Sequence, residues 1–431
     1  MNSKLSLLLP ALLLVAAQAQ AADDATVAKG EYLSRAGDCI ACHTVKGGEP
    51  FAGGLPIESP FGTIYSTNIT PSKTAGIGNY TLEQFDDALR HGERADGSNL
   101  YPAMPYPDYS VLSDADVKAL YAYFMQGVKA VDKKAPETDL SFPFNQRWGL
   151  GMWDLVFGHD DSFEAHSENP FINRGAYLVQ GLGHCGSCHS PRGVAYQEKA
   201  YDDTDDEFLT GGKVGIWEAP SLRAGSGTGP LVSWDKAEIV DYLANGRNDR
   251  TAVGGEMTSV IEHSLSYLTK SDLEAIADYL KSLPGEGQAI MLSVDATEKT
   301  ATELNSAKVD INSGARMYLD NCGACHFTHG EGAPRVFPQL DGNSLINAKD
   351  PSGLIHVILA GARLPSTKGA PEALAMPAFG WRLNDDEVAK LATFVRQAWN
   401  NHASAVTAKQ VADVRATISA AELNATKPTL N

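Results

Sequence analysis

The segment QGLGHCGSCHS, Gln180 to Ser190, admits two readings. Gly181, Gly183 and Gly186 match the G-x-G-x-x-G spacing of a dinucleotide-binding loop, where glycines let the backbone approach a pyrophosphate. Cys185, Cys188 and His189 match C-x-x-C-H, the spacing for covalent attachment of a c-type haem. One backbone cannot serve both ligands. A dinucleotide loop follows a strand, opens a helix and has an acid about 20 residues on. Asp202 and Asp203 stand near that distance, but within YDDTDDEF, which reads as solvated loop.

The rest of the chain decides between the two. All six cysteines lie in three C-x-x-C-H motifs: Cys39/Cys42/His43, Cys185/Cys188/His189 and Cys322/Cys325/His326. None is left over for a structural disulfide. The sister segments DCIAC and NCGAC share the cysteines and lack the glycine pattern, so the glycines follow local loop needs. Each motif ends a short segment that begins with Gly and carries Tyr: KGEYLSRAGDCIACH, RGAYLVQGLGHCGSCH and SGARMYLDNCGACH. Their apolar residues recur at helical spacing.

Downstream of each motif comes a methionine and then an N-cap signature: Met104 with Ser113 to Asp116, Met257 with Thr269 to Asp272, Met376 with Asn384 to Glu387. A polar cap followed three residues later by an acid satisfies orphan amides and suits the helix dipole. The unit is therefore helix, C-x-x-C-H, loop, Met, capped helix, used three times. It predicts a mostly α protein of three tandem class-I-like cytochrome c domains with long loops. We expect them at residues 24–135, 168–288 and 305–402. Residues 136–167 form an aromatic-rich linker, 289–304 an ordinary one, and 403–431 a tail. The first linker carries Phe142, Phe144, Trp148, Trp153, Phe157 and Phe163, too many for a flexible tether, so it is expected to pack on a domain surface or a partner.

In C-x-x-C-H the two thiols form thioethers to the haem vinyls and the adjacent His reaches the iron. A thioether from Met on the opposite side raises the reduction potential. The expected attachment residues are Cys39, Cys42, Cys185, Cys188, Cys322 and Cys325, and the expected iron ligands are His43 with Met104, His189 with Met257, and His326 with Met376. Met104 and Met376 share an A-M-P context, which Met257 lacks. The rival sixth ligands are Met125 and His91 in the first unit, Met291 and His263 in the second, His329 and His356 in the third. Zinc would want four ligands, and no spare Cys completes a site. A redox dithiol would not explain a His at the same offset three times. A ligating His usually donates its second ring N–H to a carbonyl or similar group; Pro71, Pro220 and Pro338 are the candidate carbonyl donors. Arg223 is a candidate partner for a haem propionate.

Bulk properties bound the setting. With 431 residues the chain exceeds one ordinary core. Lys4, the apolar run Leu5 to Ala17 and Ala19-Gln20-Ala21 read as a secretory signal over residues 1–22, which implies an exported, periplasmic protein. Net charge is −18, and −19 once Lys4 leaves with the signal. That argues against nucleic acid and against electrostatic docking on anionic lipid.

The three motifs with their methionines, together with FGTIYSTNITP, FPFNQRWGL and FLTGGKVGIWEAPSLR, resemble the three-haem cytochrome c subunits of bacterial membrane-associated dehydrogenases. The resemblance implies three covalently bound haem c groups and an electron-relay role without bond chemistry of its own. It implies a large catalytic subunit with flavin or quinone cofactor, oxidising gluconate, alcohols or polyols. A small subunit, ubiquinone or a redox protein as acceptor, and peripheral association with the periplasmic face of the inner membrane are also implied. The same architecture serves molybdenum-dependent aldehyde or N-heterocycle dehydrogenases. An enzyme with one open haem is the other class; a candidate Met in every unit argues against it.

Overall fold

A computed structural model describes residues 24–159, 162–223, 229–285, 292–306, 310 and 313–427. The signal segment and Met291 lie outside them. Among the described residues no helix is long and apolar enough to cross a membrane.

The repeated plan of the sequence is the repeated plan of the chain. In the first repeat, α1 (residues 24–36) leads into the turn Cys39–Cys42. The hairpin β1 (Pro56–Ser59) and β2 (Gly62–Tyr65) follows, pairing antiparallel with Pro56 opposite Tyr65. Then come α2 (Leu82–Arg90) and α3 (Asp114–Ala122). Beyond it β3 (Asp139–Leu140) joins β2, and the linker forms α4 (Trp148–Phe157). The second repeat has α5 (Pro170–Gln180), the turn Gly186–His189 and the hairpin β4 (Gly212–Val214) and β5 (Trp217–Ala219). It closes with α6 (Lys236–Asn245) and α7 (Lys270–Ser282). The third has α8 (Val294–Leu304), α9 (Gly314–Asn321), the turn Gly323–His326 and α10 (Ser352–Ala360). The short pair β6 (Ala362–Arg363) and β7 (Ala375–Met376) precedes α11 (Asp385–Gln397) and α12 (Ala408–Arg415).

In every repeat the first helix crosses the last at a glycine. A Cβ on Gly30 would lie 1.9 Å from the Ala119 carbonyl oxygen. At Gly175 the distance to the Ala275 oxygen would be 2.0 Å, and at Gly314 to the Lys390 oxygen 2.2 Å. The Cβ of an aromatic, Tyr123, Tyr279 or Phe394, stands beside each crossing. The glycine opening each motif segment is thus there for backbone-to-backbone contact, not for a turn.

The caps form where the sequence places them. Ser113 accepts from the Asp116 amide, Thr269 from the Asp272 amide, and Asn384 from the Glu387 amide. Only the last is reciprocal, since a glutamate reaches back to the cap amide and an aspartate is shorter. The two aspartates tie the crossing instead: Lys29 pairs with Asp116 at 2.6 Å, and Arg174 grips Asp272 through two bonds of 2.9 Å.

Contacts divide the chain into two compact units, residues up to 168 with 177–184, and residues 169–176 with 185 onward. The middle and last motifs share the second unit. There β4 and β5 lock onto the third repeat: Lys213 pairs with Asp350 at 2.5 Å, Glu218 accepts the Asp350 amide at 3.0 Å, and the Trp217 and His356 rings meet edge-on at 5.3 Å. Arg335 pairs with Asp241 across the same junction. The core of the third repeat also runs past residue 402, because Val406, Val411, Val414 and Ile418 are buried in it. The segment expected as an ordinary linker forms α8, whose Thr300 hydroxyl accepts the Trp399 amide at 2.9 Å.

Gly314→Ala is expected to destabilise the haem-loaded protein by about 1–3 kcal/mol through overpacking. Gly149→Ala, where a Cβ meets nothing within 4 Å, is expected to cost nothing. Thermal unfolding of the two variants separates these outcomes.

Candidate haem attachment sites

Each C-x-x-C-H closes a single helical turn held by its own backbone. The His43 amide donates to Cys39 O at 3.0 Å, His189 to Cys185 O at 2.9 Å, and His326 to Cys322 O at 3.0 Å. The turn puts both cysteines and the histidine on one short arc. Gly181, Gly183 and Gly186 follow a helix, α5, and not a strand, so the dinucleotide reading of this segment fails on topology. Leu182 within the segment is buried, and a Cβ on Gly186 would strike Glu198 Oε2 at 2.7 Å.

The three histidines share one constraint. His43 Nδ1 donates to the Thr67 carbonyl at 2.6 Å, His189 Nδ1 to the Pro220 carbonyl at 2.7 Å, and His326 Nδ1 to the Pro338 carbonyl at 2.9 Å. That bond fixes the tautomer and leaves Nε2 as the lone-pair nitrogen, the requirement of an axial ligand. Burial lowers the pKa of all three rings, which keeps them neutral. Pro220 and Pro338 are where the sequence put the acceptor; Pro71 is not. The acceptor there is Thr67, just past β2, whereas Pro71 belongs to the turn closed by Ile77 N donating to Thr70 O at 2.9 Å.

The thiols are poised for neither zinc nor disulfide exchange. Burial pushes Cys39 and Cys322 up to about 12, opposite to the depressed thiols of redox pairs. Among the described residues no three His, Cys, Asp or Glu side chains converge as a chelate.

The three methionines sit in different backbones. Met104 lies in a loop between Tyr101 O, which accepts its amide at 3.1 Å, and the Tyr106 amide, which donates to its carbonyl at 2.8 Å. Met257 opens the helix Met257–His263. Met376 ends β7, opposite Ala362. Of the rivals, His91 is the exposed cap of α2 and Met125 lies in the π-helical turn Tyr123–Gly127 after α3. His329 faces Glu298 at 3.4 Å. His356 packs on Trp217.

Arg223 is not free for a propionate. Its guanidinium donates to Phe208 O at 2.6 Å, Asp205 O at 2.7 Å and Pro284 O at 3.4 Å, so it braces backbone. A different arginine fits an anionic group. Arg247 is 7% exposed and its Nη1 is buried without a partner; a buried cation in that state calls for an anion. It follows the left-handed Gly246 that ends α6, ten residues before Met257. Only folding reveals it, because NGRNDR reads as a plain polar loop. The residues thus fit haem at each motif: a carbonyl-held neutral imidazole, protonated thiols, and at the second site an orphaned guanidinium.

Comparison with known proteins agrees. The family model for cytochrome c matches residues 27–127 and 311–399. The gluconate 2-dehydrogenase cytochrome c subunit of Pantoea cypripedii is 48% identical, over 96% of this chain and 95% of its own. The cytochrome c subunit of a quinone alcohol dehydrogenase from Gluconobacter oxydans is 47% identical, over 93% and 84%. The fructose dehydrogenase cytochrome subunit of Gluconobacter japonicus is 42% identical, over 91% and 83%. This chain belongs to the family of dehydrogenase cytochrome c subunits. The middle repeat of the cytochrome subunit, outside both matched stretches, has the same helix crossing and the same histidine-to-carbonyl bond as the other two.

Beside the first motif Asp38 adopts a left-handed conformation (φ 50°), and its buried Oδ1 has no partner. Burial pushes its pKa up to about 8, partly offset by Arg35. A folded value above the unfolded 3.8 means folding takes up a proton, so stability falls as pH rises from about 4 to about 8. Asp38→Asn, which tolerates the left-handed backbone, is expected to flatten that fall and to stabilise the protein at pH 8 by about 1–2 kcal/mol. Denaturant titrations at pH 5 and pH 8 read the difference.

Proposed function

We propose that this cytochrome subunit relays electrons, through three covalent haem c groups, from a catalytic dehydrogenase subunit to ubiquinone or a redox protein on the periplasmic side of the inner membrane. The observation that carries the count is the threefold one: three C-x-x-C-H turns, each with a buried histidine whose Nδ1 is held by a backbone carbonyl. Bound haem supplies a one-electron carrier that needs no proton or substrate pocket. The chain supplies the rest. Cys39 and Cys42, Cys185 and Cys188, Cys322 and Cys325 anchor the porphyrins. His43, His189 and His326 present Nε2 in a set orientation, and Met104, Met257 and Met376 supply the opposite ligand. A carbonyl on Nδ1 makes the imidazole a better donor and so tunes the potential.

The donor is a flavin- or quinone-dependent subunit acting on an alcohol, polyol or sugar acid, with a small subunit completing the complex, by analogy with the named relatives. A second reading has its own support: one of the nicotinate dehydrogenase subunits of Pseudomonas putida is 39% identical over 88% of this chain, which would place the chain beside a molybdenum-dependent dehydrogenase. The cytochrome subunit itself has no catalytic residue in either reading.

Pyridine haemochrome assay of the mature protein is expected to return three haems per chain; one or two would overturn the three-site reading. Met104→Ala, Met257→Ala and Met376→Ala are each expected to remove about one third of the red-edge Met–Fe(III) absorption and to lower one potential. An unchanged spectrum in any one of them moves the sixth ligand of that unit elsewhere.

A further inference from the structure

The segment after the first repeat turns its charges inward and its large apolar side chains outward. Residues 141–157 hold only two ionisable side chains, Arg147 and Asp154. Arg147 donates to the Asn99 carbonyl at 2.8 Å and lies over the Tyr101 ring at 4.6 Å. Asp154 accepts from Asn99 Nδ2 at 2.9 Å and from the Tyr106 hydroxyl. Those partners bracket Met104, so α4 is clasped onto the loop of the first candidate axial methionine. Phe144 stacks on Phe61 at 3.9 Å and anchors the entry to the helix.

On the other side Phe142 is 78% exposed, Trp148 73%, Met152 64%, Leu155 86% and Val156 67%. Trp148, Met152, Leu155 and Val156 fall at i, i+4, i+7 and i+8, one stripe of the helix. With Phe142 the stripe presents on the order of 700 Å² of apolar surface, above the largest patch of an ordinary monomer. It carries no carboxylate, amine or amide side chain; the Trp148 indole is its one polar group. A protein partner of that area would look for several hydrogen bonds, at about one per 100–200 Å². Hydrocarbon looks for none, and Trp is a residue of the bilayer–water boundary.

We propose that the outer face of α4, with Phe142, docks the first repeat onto the interfacial layer of a phospholipid bilayer. The contact is apolar: a chain of net charge −18 gains nothing from anionic headgroups. The docked helix brings the Met104 loop next to the lipid surface, where a lipid-soluble quinone resides. This deepens the proposed function and in that respect rests on it, but lipid docking itself needs no redox partner.

The test is flotation of the mature haem-loaded protein with phosphatidylcholine–phosphatidylethanolamine vesicles. The wild type is expected to float. The variant Trp148→Ser, Leu155→Ser, Val156→Ser is expected to lose at least about tenfold in partitioning while keeping its haem spectrum. Added phosphatidylglycerol is expected to weaken binding, not strengthen it. A wild type that stays with the aqueous phase overturns the proposal, as does a variant that floats equally well. So does a variant whose loss is of the co-purified catalytic subunit, or of a dimer in sedimentation, and not of vesicles. Intact flotation with no electron delivery to quinone would instead count against the relay reading alone.

Discussion

A buried imidazole with one nitrogen tied to a backbone carbonyl is the constraint around which each repeat is built. Left unpaired, that Nδ1–H would cost the desolvation of a polar group. Paired, it fixes the tautomer, so the opposite nitrogen is always the free one. The acceptor comes from 24, 31 or 12 residues further along the chain. The loop after each C-x-x-C-H must therefore return across the histidine whatever its length. The hairpins of the first two repeats and the shorter return of the third are three ways to meet one hydrogen-bond demand.

The helix crossing that frames the motif is set by an equally simple exclusion. The first and last helices of each repeat approach until a carbonyl occupies the space a Cβ would need, so Gly30, Gly175 and Gly314 accept no larger residue without a shift. Around this common centre the repeats diverge. The first adds a third strand and α4, and the third draws α8 and α12 into its core. Lys29 with Asp116 and Arg174 with Asp272 show an N-cap acid reused to join the two crossing helices.

Charge is distributed with the same economy. Arg223 and Arg247 are both buried, yet only Arg247 keeps an unpartnered nitrogen. One guanidinium holds the fold together, and the other awaits an anion. In α4 the inward turn of Arg147 and Asp154 both fastens the helix and strips its outer face of charge.

The sequence by itself determined what depends on short spacing. The C-x-x-C-H turns, the caps at Ser113, Thr269 and Asn384, and the glycine-led helices are local, and repetition made each of them legible three times over. Pro220 and Pro338 were legible as acceptors because their loops return at the proline; Thr67 was not, because hairpin length sets which carbonyl arrives over His43. Tertiary structure alone decided whether an arginine is braced or orphaned, since that depends on carbonyls brought in from distant loops. It also decided that residues beyond 402 complete a core, and that the aromatic linker faces outward. Side-chain type states what a residue can bind; only the packed chain states which of its neighbours have already been taken.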